Sequence, residues 1–203
     1  MSGDTTCETC VKRRDLLSTG VGAMALAGAA AAAVPVIDSL APNPDDVAVT
    51  TLDIDLHDLA PGTQRVVAWA GKPILVVHRT PQQLAILQSP ALFDRLRDPQ
   101  SKVLQQGAYA ANWHRSIDPA FLVVVGICTH LGCVPRFDPQ TDGNGWLCPC
   151  HNSHFDLSGR VLKGSPAPYN LPVPPYAVVK PGTLRLGENP AGSSFSLADI
   201  VQI

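Results

Sequence analysis

Two short stretches constrain this chain more than anything else in it. They are "CTHLGC", from Cys128 to Cys133, and "CPCHNSH", from Cys148 to His154. Together they hold four of the six cysteines and three of the six histidines, and seventeen residues separate His130 from Cys148. Soft thiolate and imidazole donors concentrated in this way require a fold that brings two loops together around something they bind.

Two cysteines and two histidines suffice for a tetrahedral zinc ion, but that reading leaves a second pair of cysteines without a task. The C-x-H and C-x-x-H spacing also matches the mixed ligation of a 2Fe-2S cluster, in which two thiolates hold one iron and two imidazoles the other. On that reading Cys128 and His130 come from the first loop, and Cys148 and His151 from the second. Cys133 and Cys150, one beside each ligand pair, are then placed to form a disulfide, which an oxidising compartment permits.

The N-terminal segment sets the compartment. Leu16 to Ile37 is a run of twenty-two uncharged residues, roughly 33 Å as a helix and long enough to cross a hydrocarbon core. Before it stand Lys12, Arg13 and Arg14, followed by Asp15, Leu16 and Leu17, an order that resembles a twin-arginine export signal. Basic residues before the span, and Asp38, Asp45 and Asp46 after it, predict a single-pass protein of a bacterial inner membrane with its head on the periplasmic side. A cleaved signal accounts less well for an apolar run of this length. Twin-arginine export carries folded proteins, which suits a head that receives an inorganic cofactor first.

The predicted layout is a cytoplasmic tail (1–15), an anchor (16–37), a flexible linker (38–46) rich in Pro and Asp, and a head (47–203). Cys7 and Cys10 in the tail form a C-x-x-C to which no role is assigned. Nineteen prolines, sixteen glycines, 16% charged residues and a net charge of -2 describe a loop-rich chain without the basic surplus that nucleic acid requires. In the head, "VAVTTLDIDL", "TQRVVAWAGKPILVVHRT", "AFLVVVGICTH", "FDLSGRVL" and "YAVVKPGTLRL" read as strands and turns in antiparallel hairpins. Between Pro81 and Pro119 an insertion offers one or two short helical turns. The fold class is mainly β.

The paired boxes resemble the cluster-binding boxes of Rieske iron–sulfur proteins, specifically those of ubiquinol:cytochrome c oxidoreductase (cytochrome bc) complexes. The resemblance runs from about Lys12 to Tyr176 and includes "GKPILVVHRT", "LRDPQS" and "GRVLKGSPAPYNLPVP". It implies a head of three antiparallel sheets with a cluster-binding part at about 126–170. One 2Fe-2S cluster would be held by Cys128, His130, Cys148 and His151, with Ser153 donating a hydrogen bond toward a bridging sulfide. A Cys133–Cys150 disulfide would pin the loops, and the proline-rich loop Gly164 to Pro168 would cover them.

The resemblance further implies a mobile subunit that passes electrons from a membrane quinol to a c-type cytochrome, with quinol oxidation coupled to proton release at His151. Leu131 would dock at the quinol site. The partners would be cytochrome b and a membrane-anchored c-type cytochrome, in a dimeric complex. The Rieske small subunit of a periplasmic oxidase, such as the arsenite type, shares the signal and the cluster; the linker, "GKPILVVHRT" and "LRDPQS" favour the quinol enzyme.

Two positions depart from the family pattern. Asn152 stands where Gly is usual and must accept a glycine-like backbone angle, and Phe155 stands where many respiratory members have Tyr. The missing hydroxyl predicts a lower reduction potential. His57, His78, His114 and His154 lie outside the ligand spacing and are assigned no chemistry.

Overall fold

The computed structural model describes residues 8–39, 51–139 and 145–201. Cys7 and nearly all of the 38–46 linker lie outside the described residues.

The N-terminal unit is helix α1, Glu8–Asp38. It begins eight residues ahead of the apolar run, because "ETCVKRRD" contains no Gly or Pro to break a nucleated helix, and Glu8, Lys12, Arg13 and Arg14 favour its propagation. Pro35 lies in its last turn, where it has no amide to offer the Ala31 carbonyl, and the Ser39 amide donates to the Pro35 carbonyl to close the end. Its segment Lys12–Asp38 is long and apolar enough to cross a membrane, at 27 residues or about 40 Å.

Among the described residues the head contains three antiparallel sheets of three strands each, as the resemblance implies. The first sheet joins β1 (Leu52–Asp55), β9 (Thr183–Leu186) and β8 (Tyr176–Lys180) in that order. The second joins β2 (Gln64–Trp69), β3 (Lys72–His78) and β4 (Phe121–Val125). In β3 and β4 the runs Ile74–Val77 and Leu122–Val125 are wholly buried, so their unbroken apolar character reflects two covered faces. The β2–β3 hairpin turns on Ala70 and Gly71, both left-handed (φ 48° and 69°), the arrangement of a type I′ turn.

The third sheet is small: β5 (Arg136–Phe137), β6 (Trp146–Leu147) and β7 (His154–Phe155). Its size matters less than its position, because the first Cys/His stretch leads into β5 and the second connects β6 to β7. "FDLSGRVL" forms less strand than its pattern predicts. Past Phe155 it makes isolated bridges, Phe155–Val161 and Leu96–Leu162, because the Asp156 carboxylate accepts the Ser158 and Arg160 amides and curls the chain into a turn at Gly159.

The insertion holds helices α2 (Pro81–Leu87) and α3 (Pro90–Phe93), each with proline in its first turn. Thr80 and Gln83 form a reciprocal capping box on α2, and the Ser89 hydroxyl caps α3. The chain then returns to the small sheet: the Arg97 amide donates to Val161, and its guanidinium to the Ser165 carbonyl.

Three buried arginines bind this region together. Arg160 pairs with the equally buried Asp156 at 2.7 Å. Arg115 donates to Gln106 Oε1 and to the Ser158 and Leu171 carbonyls, while Arg79 donates to the carbonyls of Pro119, His114 and Leu157. Burial pulls both guanidiniums below their ordinary pKa, Arg79 to about 10 and Arg115 to about 9.

Candidate metal centre

Both Cys/His loops close by the same backbone pattern. In the first, the Cys128 amide donates to the Cys133 carbonyl (2.8 Å) and the Gly132 amide donates back to the Cys128 carbonyl (3.0 Å). In the second, the Cys148 amide donates to Ser153 (2.8 Å) and the Asn152 amide to Cys148 (3.0 Å). The fifth residue of each loop is left-handed, Gly132 with φ 83° and Asn152 with φ 60°. Asn152 therefore takes the glycine-like angle expected of it, which Asn tolerates better than other residues with a side chain.

The loops are joined by a disulfide between Cys133 and Cys150. Cys128 and Cys148 carry free thiols and are buried. Burial pushes the Cys128 thiol up and the adjacent Cys148 sulfur adds to this, while the His130 amide and the Ser153 hydroxyl oppose it. The imidazoles of His130 and His151 meet edge to face, with centroids 4.6 Å apart and planes at 90°. His130 is half-buried and His151 exposed.

Ser153 is wholly buried; its Oγ accepts the Ala167 amide (3.0 Å), and its hydroxyl lies beside the Cys128 sulfur. The Gly164–Pro168 loop is thus tied to the second box, helped by the His154 amide donating to Ser165 Oγ. Just beyond it, Thr129 of the first box donates to the Tyr169 carbonyl (2.7 Å). Leu131 is 70% exposed, and Val134, three residues on, is exposed as well. Phe155 is wholly buried in β7.

The other histidines have partners of their own. His57 Nδ1 meets the Asp55 carboxylate, His78 Nδ1 meets the Leu59 carbonyl, and buried His114 meets Ser116 Oγ. His154 sits in β7 opposite Leu147.

The donors can be tested against a cluster on one atom. His130 Nδ1 is buried and has no hydrogen-bond partner among the described residues, an arrangement that costs free energy unless something binds it. The two adjacent buried thiols, Cys128 and Cys148, are donors that a bound cation would hold as thiolates. The sulfurs of Cys133, Cys148 and Cys150 lie within 4.8 Å of one another, but the disulfide uses two of them, so that trio is not a ligand set. Two thiols and two imidazoles remain, and they fit a 2Fe-2S cluster.

Three antiparallel sheets with paired Cys/His loops on the smallest define a Rieske-type iron–sulfur protein. A family described as "Rieske [2Fe-2S] domain" matches residues 51–176, and one described as "Ubiquitinol-cytochrome C reductase Fe-S subunit TAT signal" matches residues 5–44. The chain is 42% identical over 181 residues to the ubiquinol-cytochrome c reductase iron-sulfur subunit of Rhodospirillum rubrum, covering 86% of this chain and 91% of that one. The subunits of Rickettsia typhi (42% over 175 residues; 86% and 93% covered) and Allochromatium vinosum (41% over 186; 87% and 89%) are similarly close. The chain belongs to this family, the iron–sulfur subunits of ubiquinol–cytochrome c reductase.

Proposed function

We propose that the chain carries electrons from a membrane quinol to a c-type cytochrome, as the mobile subunit of a respiratory cytochrome bc complex. In this reading Cys128 and Cys148 hold one iron of the cluster, and His130 and His151 the other. The buried, unpartnered Nδ1 of His130 is the observation that carries the assignment. When bound, the cluster supplies a one-electron acceptor whose potential its ligands and their hydrogen bonds set.

The side chains divide the remaining work. His151 is exposed, so its metal-free ring nitrogen accepts a hydrogen bond from a quinol hydroxyl and takes its proton as the electron leaves. Leu131 and Val134 present an apolar tip for docking against the quinol site. Ser153 keeps its donor beside the cysteine sulfur, and the disulfide and the Gly164–Pro168 loop shield the two cysteine ligands from water. Residues 1–15 lie in the cytoplasm, 16–37 span the inner membrane, and 38–46 tether a periplasmic head (47–203) that moves between cytochrome b and a membrane-anchored c-type cytochrome in a dimeric complex. Export of the folded head accords with the twin-arginine signal.

Purification from native membranes tests this reading. The chain should co-purify with a di-haem cytochrome b, and the reduced sample should give a rhombic paramagnetic signal with average g below the free-electron value. His130→Ala and His151→Ala should each abolish that signal. Co-purification with a molybdenum subunit instead, or a native signal in either variant, would overturn it.

A further inference from the structure

The disulfide that pins the two loops has a third sulfur against it. The Cys148 sulfur lies within 4.8 Å of both Cys133 and Cys150, and it is a free thiol. We infer that the cluster-free head isomerises its own disulfide: Cys148 displaces Cys150 from Cys133, leaving a Cys133–Cys148 bond. This rests on the reading of Cys148 as a cluster ligand.

The exchange is balanced without any oxidant. Cys148 gives its proton to water, and its sulfur lone pair forms the new bond to Cys133 Sγ. The Cys133–Cys150 bond breaks, and Cys150 leaves as a thiolate that takes up a proton. Cys133 is the favoured target because Cys150 is exposed and departs into water, whereas attack on Cys150 would expel half-buried Cys133. Attack on Cys150 would also close a ring across Pro149 between residues only two apart in sequence.

The same geometry explains why the loaded head is protected. A sulfur attacks a disulfide along the extension of the S–S bond, which places it farther from the leaving sulfur than from its target. Three sulfurs all within 4.8 Å of one another put Cys148 beside the bond instead. The backbone around it is fixed by the Cys148–Ser153 and Asn152–Cys148 hydrogen bonds, so the side chain must swing to react. A cluster gripping Cys148 prevents that swing. In its absence the exchange consumes a ligand, and the head can no longer be filled until the bond returns. Cluster insertion must therefore precede disulfide formation, an order that an export route for folded proteins enforces.

The test is disulfide mapping of the full-length chain in detergent. One sample keeps its cluster; the other has its iron removed by a chelator, with the sulfide this releases swept out under argon and no reductant added, and sulfide-exposed Cys148→Ser serves as its control. Both are unfolded in alkylating agent and digested for non-reducing peptide mass spectrometry. The loaded chain should show only Cys133–Cys150. The cluster-free chain should lose part of that linkage, gain Cys133–Cys148, and expose Cys150 to alkylation. Cluster-free Cys148→Ser should retain Cys133–Cys150 throughout. A cluster-free wild-type chain with Cys133–Cys150 alone, or with an added Cys128–Cys148 bond beside it, would overturn the exchange. Exchanged linkages in the loaded chain would instead overturn Cys148 as a ligand.

Discussion

Replacing Asp156 by Asn probes the turn that anchors the second cluster loop from behind. Asp156 is wholly buried, and its carboxylate accepts the Arg160 Nε at 2.7 Å together with the Ser158 and Arg160 amides, each at 2.8 Å. Asn keeps one acceptor oxygen for the amides, but its NH2 then faces the Arg160 guanidinium, donor against donor. Arg160 retains only the Leu87 carbonyl at 3.1 Å and the Pro99 carbonyl at 3.3 Å, and no opposite charge in contact. Removing one partner of a buried ion pair costs about 3–5 kcal/mol, a large share of the 5–15 kcal/mol typical of a folded domain. The assay is urea denaturation followed by far-ultraviolet circular dichroism and by visible circular dichroism of the cluster. Both transitions should move together to lower urea, with an unchanged slope. The double variant Asp156→Asn, Arg160→Met should recover part of the loss because it removes the stranded charge. A single-variant cost below about 1 kcal/mol, with no recovery in the double variant, would refute the claim that this pair braces the turn.

Asn152→Ala should destabilise the head by about 1–2 kcal/mol, because alanine pays the full cost of the left-handed angle, while Asn152→Gly should be close to neutral; thermal melts check both. Phe155→Tyr should raise the midpoint potential by roughly 40 mV, the equivalent of one hydrogen bond of about 1 kcal/mol to a cluster sulfur. Voltammetry showing no rise would mean that the hydroxyl finds no sulfur. His114 gives a pH dependence. Burial, and then the charge of Arg79, hold its pKa below the ordinary histidine value, so the unfolded chain binds a proton there that the folded head refuses. Stability from this group is intact above about pH 6.5 and is lost as pH falls from there toward the depressed value. His114→Gln should flatten that part of the stability curve.

The family was readable from sequence because the spacing of its boxes is a local property: C-x-H and C-x-x-H are fixed by the loops that carry them. The Ile74–Val77 and Leu122–Val125 runs were readable for a similar reason, since unbroken apolar character marks a strand covered on both faces. The segment read as one or two short helical turns, and α2 and α3 are those turns, capped by Thr80 with Gln83 and by Ser89. What sequence could not reveal are Arg79 and Arg115. Most of their acceptors are main-chain carbonyls 35 to 78 residues away, which any residue type can supply. The turn at Asp156 eluded the strand pattern because a carboxylate took the amides that a ladder would have used. Gly132 and Asn152 hold equivalent positions, and that equivalence emerges only when the loops are compared as hydrogen-bonded rings.

Each of those rings is self-contained, closed by main-chain bonds between its own first and last residues, and Leu131 projects outward from the first one without taking part in the closure. On the proposed function, the side chain that would meet partners is thereby uncoupled from the groups that would hold metal, so substitutions at Leu131 would leave the ring that carries the ligands unchanged.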